Sequence, residues 1–152
     1  MKIVKASLVA AIALVGSSAA VAQTAGTSIN APFSVSTSVL AFCKVSAKNI
    51  VIAPITAGDT TGDKSSTGDV SVNCTNQTSY TLKVTESLNL AHGTSNYLIP
   101  TSLALNTTSG TGAGFGNGTA KSHVVTATIP QAAYENAVAG AYTATTTVTL
   151  TY

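Results

Sequence analysis

The chain has no Arg and no Trp, a single Met, only two Cys, and charged side chains at 8% of its 152 positions. A typical soluble domain is about a quarter charged, and a protein that neutralises phosphates needs a dense basic face. Seven Lys and no Arg do not supply one, so nucleic-acid binding is excluded as a main function. The formal charge of +2 is too small to steer a charged partner. Two Cys are too few for a disulfide-dense miniprotein, and the length gives one domain of ordinary size with a real core. What fills the space is Thr and Ser interleaved with Val, Ile, Leu and Tyr, a composition that suits sheets.

The first 22 residues read as an address label. Lys2 and Lys5 give a positive start, Ala6 to Val15 is a short apolar run, and Ala20-Val21-Ala22 is a small-residue cleavage site. The run falls short of the roughly 20 apolar residues needed to span a bilayer, and no stop-transfer segment follows, so stable membrane insertion is not expected. After cleavage, five Lys stand against Asp59, Asp63, Asp69, Glu86 and Glu135, and the side-chain charge of the mature chain sums to zero. Export carries Cys43 and Cys74 into an oxidising compartment, where a lone pair in two strand-like segments is expected to be bridged.

Alternation with period two recurs throughout the mature chain, and no stretch of a dozen residues carries a helical stripe. From Tyr142 the even positions are Tyr142, Ala144, Thr146, Val148, Leu150 and Tyr152, while every odd position from 143 to 151 is Thr. That pattern predicts one half-buried terminal strand. Val70 and Val72 before Cys74, then Tyr80, Leu82 and Val84, then Val125, Ala127 and Ile129 alternate likewise. Turn clusters are expected at 58–68, 73–79, 92–96 and 109–118, and a single helical turn or loop at Gln131 to Val138 after Pro130. Short strands spaced this way imply an all-β sandwich or open barrel.

Outside the Cys43 to Cys74 loop, Ile29, Ala31, Phe33, Val35, Thr37 and Val39 alternate with Asn30, Pro32, Ser34, Ser36 and Ser38. This arm has two readings. It is the first strand of its own sandwich, or it adds to the open sheet edge of another molecule. Pro32 has no N–H to give a ladder, so pairing begins after it or stays edge-like.

Candidate chemistry is sparse. His92 and His123 have no partners at metal-site spacing and read as surface or loop residues rather than ligands. Ser is abundant but no G-x-S-x-G occurs, and the five carboxylates show no spacing that recommends a glycosidase pair. The Gly58-Asp59, Gly62-Asp63 and Gly68-Asp69 cluster lacks the rhythm of a calcium loop and reads as a solvated turn. The glycine run 110–118 fits neither phosphate-loop pattern and reads as a hairpin loop. No catalytic residue, metal site or cofactor is assigned, and an enzyme is not expected.

Four stretches together resemble the spore coat protein U domain family, which includes the major pilins of archaic chaperone–usher pili. They are F-S-V-S-T-S-V-L-A-F-C-K-V-S-A-K-N-I from Phe33, G-D-V-S-V-N-C-T from Gly68, G-F-G-N-G-T from Gly114, and the segment Ile129 to Tyr152, which runs I-P, a short loop, G-x-Y and an alternating strand ending on an aromatic residue. The resemblance implies an immunoglobulin-like antiparallel β-sandwich that lacks its last strand and is completed by a donor strand from a neighbouring subunit. On that basis residues 1–22 are a signal peptide, 23–41 a donor arm and 42–152 the sandwich domain. Phe33, Val35, Thr37 and Val39 are the donor residues, with Ile29 and Ala31 as outer contributors. Tyr142, Ala144, Thr146, Val148, Leu150 and Tyr152 form one border of the acceptor groove, and the strand around Cys43 forms the other. The implied partners are identical or related pilin subunits in a head-to-tail polymer, a periplasmic chaperone and an outer-membrane usher. The implied location is a cell-surface fibre reached through the periplasm, serving adhesion and biofilm formation. A secreted spore or cell coat protein of the same family is the alternative, and an exported glycan-binding sandwich a more distant one.

Overall fold

The computed structural model describes residue 26 and residues 28–152. Residues 1–22, read above as a signal peptide, and Gln23 to Ala25 and Thr27 of the arm lie outside the described residues. The chain divides into two units, residues 1–37 and residues 38–152. In the first, residues 28–37 form neither strand nor helix, and all are exposed.

The second unit is all-β. Its strands are β1 (Cys43–Ala47), β2 (Lys64–Cys74), β3 (Ser79–Val84), β4 (Ser87–His92), β5 (Leu98–Leu105), β6 (Ser109–Thr111), β7 (Lys121–Ile129), β8 (Tyr142–Thr143) and β9 (Val148–Thr151), with one helical turn, α1 (Gln131–Tyr134). A six-stranded sheet has the order β1-β2-β7-β5-β4-β8, and a three-stranded sheet the order β6-β3-β9. Every pairing is antiparallel. Alternation explains the burial: Val70, Val72 and Cys74 on β2, Tyr80 and Leu82 on β3, and Val125, Ala127 and Ile129 on β7 all point into the core, with hydroxylated neighbours outside. The fold agrees with an immunoglobulin-like sandwich.

The core has two parts. One gathers Val70, Val72, Cys74, Tyr80, Leu82, Leu103, Val125 and Ala127; the other gathers Ile99, Ile129 and Tyr134. The second depends on the helical turn expected after Pro130, because α1 delivers Tyr134, whose hydroxyl donates to the Gly62 carbonyl at 2.6 Å.

Four details differ from the sequence reading. Residues 64–68 and 109–111 are strand rather than turn: their own polarity looks loop-like, but β2 pairs with β7 from Lys64 to Val72, and β6 is held by β3. The terminal strand is broken, since β8 joins β4 in one sheet while β9 joins β3 in the other, and residues 144–147 cross between them. His123 is buried at 4% exposure rather than lying on the surface. Its Nε2 lies 2.8 Å from the Tyr80 hydroxyl and its Nδ1 2.7 Å from the Thr107 hydroxyl, so both ring nitrogens are satisfied between the sheets. Finally, β4 and β5 escaped the sequence reading. Pro100 interrupts the pattern of β5, yet pairing with β7 begins only at Ser102, so the missing N–H costs no ladder bond there.

Burial raises the Tyr80 hydroxyl above its ordinary pKa. Tyr80→Phe strands His123 Nε2 in the core and is expected to destabilise the sandwich by about 1–3 kcal/mol. Urea unfolding of the two proteins at equal concentration measures the difference.

Candidate functional site: an apolar groove and an exposed arm

Cys43 and Cys74 are bonded, as expected, and stand directly opposite each other in the β1–β2 register with Cα atoms 4.1 Å apart. The bridge fixes the start of β1. Thr75 fixes the residue before it: the Phe42 N–H donates to Thr75 Oγ1 at 3.0 Å, and the Thr75 N–H donates to the Phe42 carbonyl at 2.9 Å. The Phe42 ring lies 5.8 Å from that of Phe115, and the Gly114 N–H reaches the Cys74 carbonyl at 3.0 Å. Three of the four motifs singled out in the sequence therefore meet at one end of the sandwich.

From this anchored start the chain runs on past β1 and walls a groove. Ile50 packs straight onto the backbone of Gly68 in β2, where any Cβ would collide with its side chain and with the Lys48 carbonyl. Lys48 N–H donates to the Asp69 carbonyl at 2.9 Å, and the Ser66 hydroxyl to the Val51 carbonyl at 2.8 Å. Residues 47–57 make one wall, residues 142–146 and Val148 the other, and apolar side chains of β2, β4, β5 and β7 the floor. The groove encloses about 810 Å³. Beside it, β9 is paired on one edge only, by β3, and β1 is the outermost strand of its own sheet. A sandwich seam bounded by short edge strands over an apolar floor can accept an added strand.

The residues named in advance fall as follows. Tyr142, Ala144, Thr146 and Val148 line the groove, Leu150 packs on the core, and Tyr152 stands 57% exposed beyond the groove's end. On the opposite side the wall is residues 47–57, which the strand around Cys43, β1, enters with its last residue, Ala47. Ile29, Phe33, Val35 and Val39 are 79–87% exposed, and Ala31 and Thr37 are exposed as well. Large apolar side chains rarely stand so bare in a row without a partner.

Elsewhere the polar groups serve structure. Asp59, held by the Lys64 ammonium at 2.8 Å and by hydrogen bonds from Thr61, has its carboxyl pulled down to about 2, and the same pairing raises Lys64. Asp63 accepts the Gln131 N–H at 3.0 Å and so caps α1, while Asp69 faces Lys48 at 3.6 Å. The three aspartates of the glycine-rich stretch thus have three separate partners. His92 Nδ1 accepts the N–H groups of Thr94 and Ser95, its Nε2 faces the Ala139 carbonyl at 3.1 Å, and its ring packs edge-on against Tyr142. It ties the 92–97 turn to the groove wall.

The spore coat protein U domain model matches residues 29–106, which hold the exposed arm, the bridge, the 47–57 wall and β2 to β5. The chain belongs to the spore coat protein U domain family. That family comprises structural proteins, pilin-like and coat-forming, associated with surfaces. No curated protein and no solved structure matches the chain. Within the family match, the 47–57 wall and the groove floor on β4 and β5 were not anticipated from sequence. The alternation of Ile99, Thr101, Leu103 and Leu105 was the available signal. Among the described residues no helix is long and apolar enough to cross a membrane.

Proposed function

We propose that the chain is the structural subunit of a cell-surface fibre of the chaperone–usher type, assembled by donor-strand exchange. Residues 23–41 of one copy lie in the groove of the next, pair with the free edge of β9 and complete the sandwich spanning residues 42–152. The observation that carries this reading is the combination of an open apolar groove with an exposed, strand-patterned apolar arm in the same chain.

The energetics favour it. Phe33, Val35 and Val39, with Ala31 or Ile29, would each contribute roughly 1.5–3 kcal/mol for the larger side chains on moving from water into the groove. A backbone ladder is added to that. Because the arm and the groove are different surfaces, the contact is heterologous and does not close on itself, so it propagates as a fibre. Before assembly the same groove needs a cover, which is the role of a periplasmic chaperone, and an outer-membrane usher delivers subunits to the growing end. Adhesion and biofilm formation follow from a fibre displayed outside the cell.

Immunogold electron microscopy of cells making the chain, with gels of unboiled extracts, tests the reading. Thin labelled fibres and a ladder of oligomers are expected. A continuous labelled layer with monomeric subunits on the gel would point to a coat instead.

A further inference from the structure

We propose that Thr101 is a specificity-determining residue of the groove: its hydroxyl meets that of Thr37 on the arm of a second copy and thereby sets the register in which the arm is seated. The inference rests on the assembly reading above.

On β5 the residues Ile99, Thr101 and Leu103 line the groove at the period of one strand face, and all three are buried, at 4%, 4% and 7% exposure. Ile99 belongs to the apolar basin around Tyr134 and Ile129, and Leu103 to the basin around Val70 and Val125. Thr101 therefore marks a polar waist between two apolar basins. Among the described residues the buried polar side chains are Thr101 and His123, and His123 does not line the groove. The Thr101 hydroxyl donates to the Ile99 carbonyl at 3.3 Å, which leaves its oxygen free to accept.

The arm carries a matching irregularity. Its apolar row, Ile29, Ala31, Phe33, Val35, Thr37 and Val39, contains one hydroxyl, at Thr37, with apolar residues on both sides. Strands in packed sheets run within about 30° of one another, and both share the same two-residue repeat, so arm and floor can be matched position for position. Any slip moves the arm by two residues if the same face is to stay buried. It would then set Thr37 on an apolar basin and an apolar side chain on Thr101, leaving the Thr37 hydroxyl without a partner and the Thr101 oxygen without the donor it can accept, while its bond to the Ile99 carbonyl stays. A single polar position in an apolar seam fixes register in the same way in coiled coils.

The test uses the full mature chain. Polymers of the parent, Thr37→Val, Thr101→Val and the double variant are diluted into denaturant, and the rate of dissociation into monomers is followed on unboiled gels. Each single change is expected to speed dissociation about tenfold, because Thr101→Val leaves the Thr37 hydroxyl buried unpaired and Thr37→Val removes the donor to the Thr101 oxygen. The double variant is expected to return to within about twofold of the parent, since both partners are then apolar. Thr37→Ser retains the hydroxyl, changes an exposed residue that is in no strand and is expected to behave as the parent, which keeps the test decisive even where Thr101→Val fails to fold. Single effects that simply multiply in the double variant, or equal rates for Thr37→Ser and Thr37→Val, would overturn the inference while leaving assembly intact. A parent chain that forms no polymers would overturn the assembly reading, and this inference with it.

Discussion

Phe33→Asp is expected to abolish polymers of the mature chain while leaving its own groove able to accept an arm from an unmodified copy. Phe33 is the largest side chain of the arm and stands 87% exposed, so the substitution is not expected to disturb the sandwich. In a donor strand the same position goes into an apolar groove. There the change forfeits roughly 1.5–3 kcal/mol of burial, and a carboxylate must in addition be stripped of water without a cation to pair with. The combined cost is large enough to reduce assembly below detection at micromolar protein. Mixing the variant with parent chain discriminates function from folding: the variant should cap growing polymers at one end, shortening the ladder in proportion to its share. Val35→Asp is expected to do the same.

The second large effect concerns the bridge. Cys43→Ala with Cys74→Ala opens a loop whose ends are 31 residues apart, and on the chain-entropy model that costs roughly 3–4 kcal/mol. Its location makes the loss consequential for the groove as well as for the fold. β1 is the outermost strand of its sheet, and the 47–57 wall continues directly from it. Without the bridge, β1 keeps its pairing with β2 and the Phe42–Thr75 bonds but loses its only covalent hold. Urea unfolding of the mature chain should show a midpoint lowered in proportion, and limited proteolysis should cut first between residues 47 and 57. An unchanged midpoint would mean that strand pairing alone secures the wall.

The sandwich was legible because its core strands are amphipathic with period two: Val70, Val72, Tyr80, Leu82, Val125, Ala127 and Ile129 announced their own burial. The bridge was legible from the solitary cysteine pair in a chain that reads as exported. The arm stood out because its alternation lies outside the bridged loop; residues 28–42 form no strand of their own. What stayed hidden has physical reasons. The wall from residue 47 to 57 carries Pro54 and no sustained alternation, and its shape comes from packing against Gly68 rather than from local propensity. The terminal Thr-rich segment alternates without interruption, but alternation specifies which side chains turn inward, not which sheet they join, so the crossing at residues 144–147 left no mark. His123 looked like any isolated histidine because its partners Tyr80 and Thr107 are distant in sequence. The groove itself was inferred through family resemblance. Its floor residues Leu90, Ile99 and Leu103 read in sequence as ordinary core, and they become a site because no strand among the described residues covers them.

The central claim is that one strand of this sandwich comes from another molecule. The most direct measurement compares residues 23–152 with residues 40–152, each alone and with a synthetic peptide of residues 27–41, by thermal unfolding and by size in solution. The full mature chain is expected to polymerise, and the shortened chain to be monomeric, to unfold at a markedly lower temperature, and to regain stability when the peptide is added. A shortened chain as stable alone as with the peptide would contradict the account.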